Sequence, residues 1–257
     1  MRRSALSFGA FALLTLVGCQ TQRFREVSSD AYCAIDEVAT SDEFQALGLP
    51  SEAVGKEIRW YRNSAERPLL YAQVYQLACR AVARKAGSLT NTSWAVIIDA
   101  DETVLDNSEF QARLAAAGES YSDAAWEEWV RERRASLLPG AKAFTDRVRA
   151  LGGSVFIVSN RADYLCEDTR ANLAAQSVAV TDVLCKTDTS DKNPRFKDIR
   201  DGRHSGGEPM NVIAYVGDNV LDFPDYDQTS RAGAPFGASF FLLPNPMYGS
   251  FEALPFR

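Results

Sequence analysis

Trp94-Ala95-Val96-Ile97-Ile98-Asp99-Ala100-Asp101-Glu102-Thr103 is the stretch on which the reading of the fold turns. Its apolar half shows no polar alternation, which suits a strand buried on both faces of a helix-covered parallel sheet. Similar short apolar runs recur at residues 154–158, 178–184, 212–216 and 239–243. Helical patterns lie between them, for example at 141–150 and 164–175. Strands alternating with helices predict an α/β fold, a Rossmann-like doubly wound parallel sheet. Such sheets hold their ligands at the carboxyl ends of the strands. Upstream, apolar positions recur at three- and four-residue spacing within 52–64 and 69–86, with Pro68 opening the second segment. The part from 30 to 92 therefore reads as helical. Residues 107–138 interrupt the alternation, are mostly helical in pattern, and form a candidate cap over the site.

The first strand ends on Asp99 and Asp101, and both side chains enter one crevice as the chain turns away. The fourth run ends in Gly217-Asp218-Asn219-Val220-Leu221-Asp222, a glycine turn followed by acids four residues apart. If a helical turn starts there, both acids share a face. Converging carboxylates repel one another, and a hard divalent cation such as Mg²⁺, with few protein ligands and several waters, resolves the conflict. Acids after strands also serve commonly as N-caps and turn residues. A D-x-D-x-T string by itself arises by chance in roughly one chain of this length in twenty. The placement of two acid pairs after two apolar strands is what singles these residues out.

Composition narrows the chemistry further. The chain has 257 residues, 46% hydrophobic and 24% charged, the profile of one large globular domain or two small ones. It contains a single histidine, His204, so sites that need two histidines are excluded. A Ser-His-Asp triad would have to rest on His204, within Gly202-Arg203-His204-Ser205-Gly206-Gly207, which reads as a solvated loop. Acid–base chemistry therefore falls to carboxylates. The net charge of −6 argues against a nucleic acid polymer as partner.

Met1-Arg2-Arg3 is a basic start, and the apolar run at 5–17 is too short to span a bilayer but suits a signal-peptide core. It ends in Leu16-Val17-Gly18-Cys19, which resembles the bacterial lipobox; a plain secretory signal with a chance cysteine is the simpler alternative. The lipobox would make 1–18 a lipoprotein signal peptide, Cys19 the lipidated residue and 19–29 a polar tether. Gln20 is not Asp, which by the Gram-negative convention points to the outer membrane. Removing 1–18 takes away two arginines and no acid, so the net charge moves from −6 to −8. The remaining cysteines are Cys33, Cys79, Cys166 and Cys185. They form no C-x-x-C pair, so a zinc ribbon or thioredoxin-type site is not expected. In an exported protein an even number suggests disulfides, and four cysteines allow three pairings. Cys33–Cys79 with Cys166–Cys185 is favoured, because each bond joins neighbouring elements.

Several strings together resemble the haloacid-dehalogenase-like superfamily, and within it the class C acid phosphatases found as bacterial outer-membrane lipoproteins. They are Ile98-Asp99-Ala100-Asp101-Glu102-Thr103-Val104-Leu105-Asp106-Asn107-Ser108, Val158-Ser159-Asn160-Arg161, Lys192 with Arg195-Phe196, and Tyr215-Val216-Gly217-Asp218-Asn219 with Asp222-Phe223. Trp60-Tyr61 with Ser64 and Glu66, and Leu243-Pro244-Asn245-Pro246-Met247-Tyr248-Gly249, add to them. The resemblance covers most of the chain from about Trp60 onward. It implies a phosphatase domain at 30–257 and hydrolysis of a small-molecule phosphomonoester.

The resemblance also implies roles. Asp99 is the nucleophile that becomes an aspartyl-phosphate; Asp101 protonates the leaving oxygen and then activates water. Mg²⁺ binds the Asp99 carboxylate, the Asp101 main-chain carbonyl and Asp218, with Asp222 direct or through water. The Ser159 hydroxyl and the Asn160 main-chain N–H hold the phosphoryl group, and Lys192 neutralises its charge. Trp126, Trp129, Val130 and Arg133 recur at helical spacing, a pattern more typical of core. In the resembling family, the first Trp of a W-x-x-W pair and the Tyr of N-P-x-Y-G flank the leaving group. That puts Trp126 and Tyr248 against a nucleoside or aryl ring. The alternatives are a phosphotransferase of the same fold and a non-catalytic surface lipoprotein that binds a ligand. Retention of Asp99 and the other acids speaks against the second. Asp101 makes dehalogenation the less expected chemistry.

Overall fold

The computed structural model describes Cys33 and residues 54–256, except 91, 232 and 234. The expected signal peptide, Cys19, the tether and the helical pattern through 53, apart from Cys33, lie outside the described residues. In chain order the elements begin with α1 (Lys56–Asn63), α2 (Glu66–Ala86), β1 (Trp94–Ile98), β2 (Leu105–Asp106), α3 (Ser108–Ala117), α4 (Asp123–Glu132) and β3 (Ser136–Leu137). They continue with α5 (Ala141–Ala150), β4 (Ser154–Ala162), α6 (Cys166–Ala175), β5 (Asp182–Lys186), α7 (Asn193–Asp201), β6 (Asn211–Gly217) and β7 (Phe240–Leu242). Pro68 falls in the first turn of α2, where its missing N–H would have no helical partner.

The main sheet has the order β5-β4-β1-β6-β7, with every pairing parallel. Every residue of β1 is buried, and its side chains feed two different cores. Val96 and Ile98 pack with Tyr75 and Val82 of α2 and Phe144 of α5. Ala95 and Ile97 pack with Phe156 of β4 and Phe196 and Ile199 of α7. Helices thus cover both faces, which is why β1 could be apolar throughout. The chain winds from β1 through β4 to β5, then crosses back to place β6 on the other flank of β1. The direction of winding reverses at β1, and the crevice that this creates opens at the carboxyl ends of β4, β1 and β6.

The structure departs from the sequence reading in places. The strand expected at 178–184 occupies Asp182–Lys186. The Val178 N–H bonds Leu173 O and closes the end of α6, while its buried side chain belongs to the core under that helix. The strand expected at 154–158 runs on to Ala162, so Ser159 and Asn160 lie within β4. Pairing to β5 resumes at Ala162 and Lys186 after an irregularity beyond Val158 and Leu184. Residues 107–138 hold α3 and α4 and return through a short antiparallel ribbon, Leu105 opposite Leu137 and Asp106 opposite Ser136. His204 sits in a loop, but one folded onto the sheet: its ring meets Phe156 edge-on at 4.7 Å and Nε2 lies 2.9 Å from Glu208 O.

Cys33–Cys79 and Cys166–Cys185 are both bonded, the pairing favoured from the sequence. The second bond ties α6 to β5 across a separation of 19 residues. Chain-entropy reasoning for a loop of that size gives about 3 kcal/mol. The double variant Cys166→Ala/Cys185→Ala is expected to lose about 2–4 kcal/mol of unfolding free energy in a urea titration. An unchanged midpoint would show that the crosslink contributes nothing.

Candidate active site

Asp99 follows β1 directly, and its N–H still bonds Val216 O at 2.9 Å, so β6 holds it in register. The chain then turns back at once, with the N–H groups of Val104 and Leu105 both on Ala100 O. Glu102 takes φ 50 within this turn, an uncommon conformation for a residue with a Cβ. Its surroundings hold it there. The Glu102 N–H bonds Leu105 O at 2.9 Å, and its carbonyl accepts the Tyr71 hydroxyl at 2.5 Å. The buried carboxylate accepts the Asn107 N–H at 2.7 Å and Asn107 Nδ2 at 3.2 Å. Burial, reinforced by Asp101, Asp106 and Asp218, pushes Glu102 well above the usual carboxylate range.

The second acid pair is brought in by Gly217 at the end of β6. A Cβ there would lie 2.3 Å from Asp222 Cβ, so only glycine lets the 3-10 turn Val220–Asp222 fold so close. Asp222 Oδ2 accepts the Asn219 N–H at 2.8 Å, and Asn219 Oδ1 accepts that of Leu221 at 3.1 Å. Asp99, Asp218 and Asp222 each offer one oxygen, all within 4.8 Å of one another. Lys192, just ahead of α7, donates to Asp99 Oδ1 and, at 2.5 Å, to Asp222 Oδ1.

Burial dominates the electrostatics of this group. It pushes Asp99 up to about 7 against the pull of Lys192, with Asp222 and Asp101 adding to the rise. Burial, then Asp222 and Asp99, raise Asp218 well above the usual range. The same burial works against the Lys192 charge, but Asp222 and Asp99 outweigh it and hold the ammonium above its ordinary value. With one ammonium among three acids in a dehydrated place, ionising all three needs a further positive charge. The donors are all carboxylate oxygens with no thiol or imidazole, a set that fits a small hard divalent cation such as Mg²⁺.

The Asp101 side chain stands apart from that triplet. Its Oδ1 accepts Arg161 Nε and Asn107 Nδ2, each at 2.9 Å, and lies 2.8 Å from Arg161 Nη2 as an ion pair. Ser159 is buried within β4; its Oγ accepts the Arg161 N–H at 3.1 Å and lies 3.5 Å from Asp101 Oδ2. Asn160 has its side chain tied down, Nδ2 to Ser190 O at 3.0 Å and Oδ1 from Arg195 Nη2 at 2.7 Å.

Two adjoining cavities open over these residues. The inner one, 290 Å³, is lined by Asp99, Lys192, Asp218 and Asp222 among others. The outer one, 630 Å³, is walled by Gln111, Leu114, Tyr121, Trp126, Arg161 and Met247. Asp101, Asn160 and Tyr248 border both. The structure therefore gathers Asp99, Asp101, Asn160, Lys192, Asp218, Asp222, Trp126 and Tyr248 around one continuous space. Ser159 lies behind it, against Asp101. Trp129 is buried, its indole N–H on Asn107 Oδ1 at 2.8 Å.

Residues that the sequence reading left without a role hold the acids in place. Arg161 and Asn107 grip Asp101; Asn245 Nδ2 donates to Asp218 Oδ2 at 2.8 Å. Arg195 Nη1 donates to Ser159 O at 2.5 Å and braces the end of β4. Val158-Ser159-Asn160-Arg161 and Pro244-Asn245-Pro246 carry two of these residues, but nothing local in either string names the partner that each one meets.

Residues 24–251 match the profile of the HAD superfamily, subfamily IIIB (acid phosphatase). Among solved structures, the class C acid phosphatase from Bacillus anthracis is similar at TM-score 0.66 and 26% identity, covering 76% of this chain and 85% of its own. A Bacillus anthracis class C acid phosphatase with tungstate bound gives TM-score 0.65 and 25% identity, with coverages of 76% and 85%.

The tight approach at Gly217 gives a test of the assembly. Gly217→Ala is expected to displace Asp222 and lower turnover of a phosphate monoester by on the order of 10²-fold, the scale of a misplacement near 1 Å. Circular dichroism is expected to stay native. Wild-type turnover would show that Asp222 need not sit where it does.

Proposed function

The chain belongs to the HAD superfamily, subfamily IIIB, of acid phosphatases and is a phosphomonoesterase; from that premise we propose the chemistry, cofactor and substrates of its site. The observation that carries the reading is the Asp99, Asp218 and Asp222 triplet, with Lys192 joining Asp99 to Asp222 and Asp101 separately anchored beside it.

In this proposal an Asp99 oxygen forms a bond to phosphorus as the ester P–O bond breaks. The electron pair goes to the leaving oxygen, which takes a proton from Asp101 and departs as an alcohol. The Asp101 carboxylate then accepts a proton from water as the water oxygen attacks phosphorus. Inorganic phosphate leaves, and the Asp99 carboxylate is restored. Lys192, already on Asp99, offsets charge on the phosphoryl oxygens, and the Asn160 N–H holds them. Ser159, expected from the sequence to do the same, lies buried behind the cavity against Asp101 and does not line it. Mg²⁺ would be held by Asp99, Asp218, Asp222 and the Asp101 carbonyl. When bound, it supplies Lewis-acid charge that offsets the repulsion between an anionic nucleophile and an anionic ester.

Nucleoside monophosphates and aryl phosphates are the proposed substrates. The outer cavity supports this, since Trp126, Tyr121 and Tyr248 give it flat apolar walls beside Asp101. The tungstate held by the Bacillus anthracis relative is a tetrahedral oxyanion like phosphate, which supports the same anion class here. Residues 107–138 act as the cap, because Gln111, Leu114, Tyr121 and Trp126 form one side of that cavity. On the lipobox-like sequence, Cys19 carries a lipid and tethers the 30–257 domain to the outer membrane.

Asp99→Asn is expected to lower kcat by on the order of 10³-fold or more while the protein melts as the wild type does. Retention of more than a few per cent of the activity would remove Asp99 as nucleophile. EDTA is expected to abolish phosphate release and Mg²⁺ to restore it. Activity indifferent to chelation would overturn the metal assignment. Adding an alcohol and analysing products separates hydrolysis from phosphotransfer.

A further inference from the structure

Asp101 presents its two oxygens to very different surroundings. Oδ1 accepts hydrogen bonds from Arg161 Nε and Asn107 Nδ2, both at 2.9 Å, and forms an ion pair with Arg161 Nη2 at 2.8 Å. Its lone pairs are fully engaged. Among the described residues Oδ2 has one hydrogen-bonding partner, Ser159 Oγ at 3.5 Å, the outer edge of hydrogen-bonding range. A carboxylate facing an arginine often shares both oxygens with the guanidinium fork. Here the fork closes on one oxygen alone.

The donors themselves are locked. Arg161 is 2% exposed and spends its remaining contacts on Thr169 Oγ1, 3.3 Å from Nη1, and Asn107 Oδ1, 3.2 Å from Nη2. Its guanidinium carbon lies 5.4 Å from the Trp126 ring centroid. Every nitrogen of the guanidinium has a partner within the protein, which fixes its plane against Asp101. Asn107 cannot flip its amide. The Trp129 indole N–H, which can only donate, sits 2.8 Å from Oδ1, so Nδ2 must face Asp101.

We infer that Arg161 is a positioning residue, which with Asn107 anchors Asp101 Oδ1 and leaves Oδ2 as the oxygen that exchanges the proton. The inference rests on the proposed acid–base role of Asp101 and adds which oxygen acts and what orients it. The proton passes from Oδ2 to the leaving oxygen as the P–O bond breaks, and returns to Oδ2 from water as the aspartyl-phosphate opens.

Such a role has a signature that simple damage to the fold lacks. An alkoxide leaving group must be protonated as it departs, whereas 4-nitrophenolate is stable enough to leave unaided. The test measures kcat/KM for glycerol phosphate and 4-nitrophenyl phosphate in Arg161→Met, Arg161→Lys and Asp101→Asn, with melting temperatures. In Arg161→Met, kcat/KM is expected to fall on the order of 10²-fold for the glycerol ester and less than about tenfold for the aryl ester. Arg161→Lys, which keeps the charge and carries the test if the Met variant does not fold, is expected to show a smaller split of the same sign. Asp101→Asn is expected to show the largest split. Equal losses on both substrates in the Arg161 variants, with a split in Asp101→Asn, would overturn the positioning role alone. Equal losses in Asp101→Asn would overturn the acid–base role, and the inference with it.

Discussion

Lys192 and Arg161, two buried cations reaching the acids from different parts of the chain, make the assembly at the end of β1 possible. Asp99, Glu102 and Asp222 are buried there, with Asp101 and Asp218 beside them. Carboxylates packed so closely in a dehydrated place would take up protons rather than stay charged. Lys192 opposes that tendency at Asp99 and pairs with Asp222 as well, while Arg161 pairs with Asp101. The sheet order follows the same need. Only a strand flanked by β4 and β6 can receive Arg161 from one neighbour and Asp218 from the other.

The two acids of Asp99-Ala100-Asp101 consequently occupy different environments, although they are two residues apart. Asp99 belongs to a cluster that invites a metal ion, while Asp101 is held by an arginine and an amide on one oxygen. Separate surroundings are how neighbouring carboxylates acquire separate roles. Trp126 and Trp129 divide in the same way on α4. Trp129 is buried and fixes Asn107, whereas Trp126 covers Arg161 and faces the outer cavity. The helical stripe is thus core at one tryptophan and cavity wall at the other.

The sheet was legible because each buried strand announces itself as a short apolar run, and the acids because they follow two of those runs directly. Boundaries were less legible where apolar residues serve another element, as Val178 does for α6. β4 outran its apolar run because its later residues, Ser159 to Ala162, are polar or small and are stabilised by β5 and by Arg195 rather than by hydrophobic burial alone. The roles of Arg161, Asn107 and Asn245 had no local signal, since each depends on a partner brought close by folding.

Local chemistry along the chain determined the strand–helix alternation, the placement of Asp99, Asp101, Asp218 and Asp222 at strand ends, and the absence of a histidine centre. Those features need only a few consecutive residues to be read. Tertiary structure alone decided which cation meets which acid: Arg161 reaches Asp101 across 60 residues, and Lys192 reaches Asp99 across 93. No periodicity encodes such pairs. They arise because the winding of the sheet reverses at β1 and brings the ends of β4 and β6 to its two sides, where buried charge must find a partner or disappear.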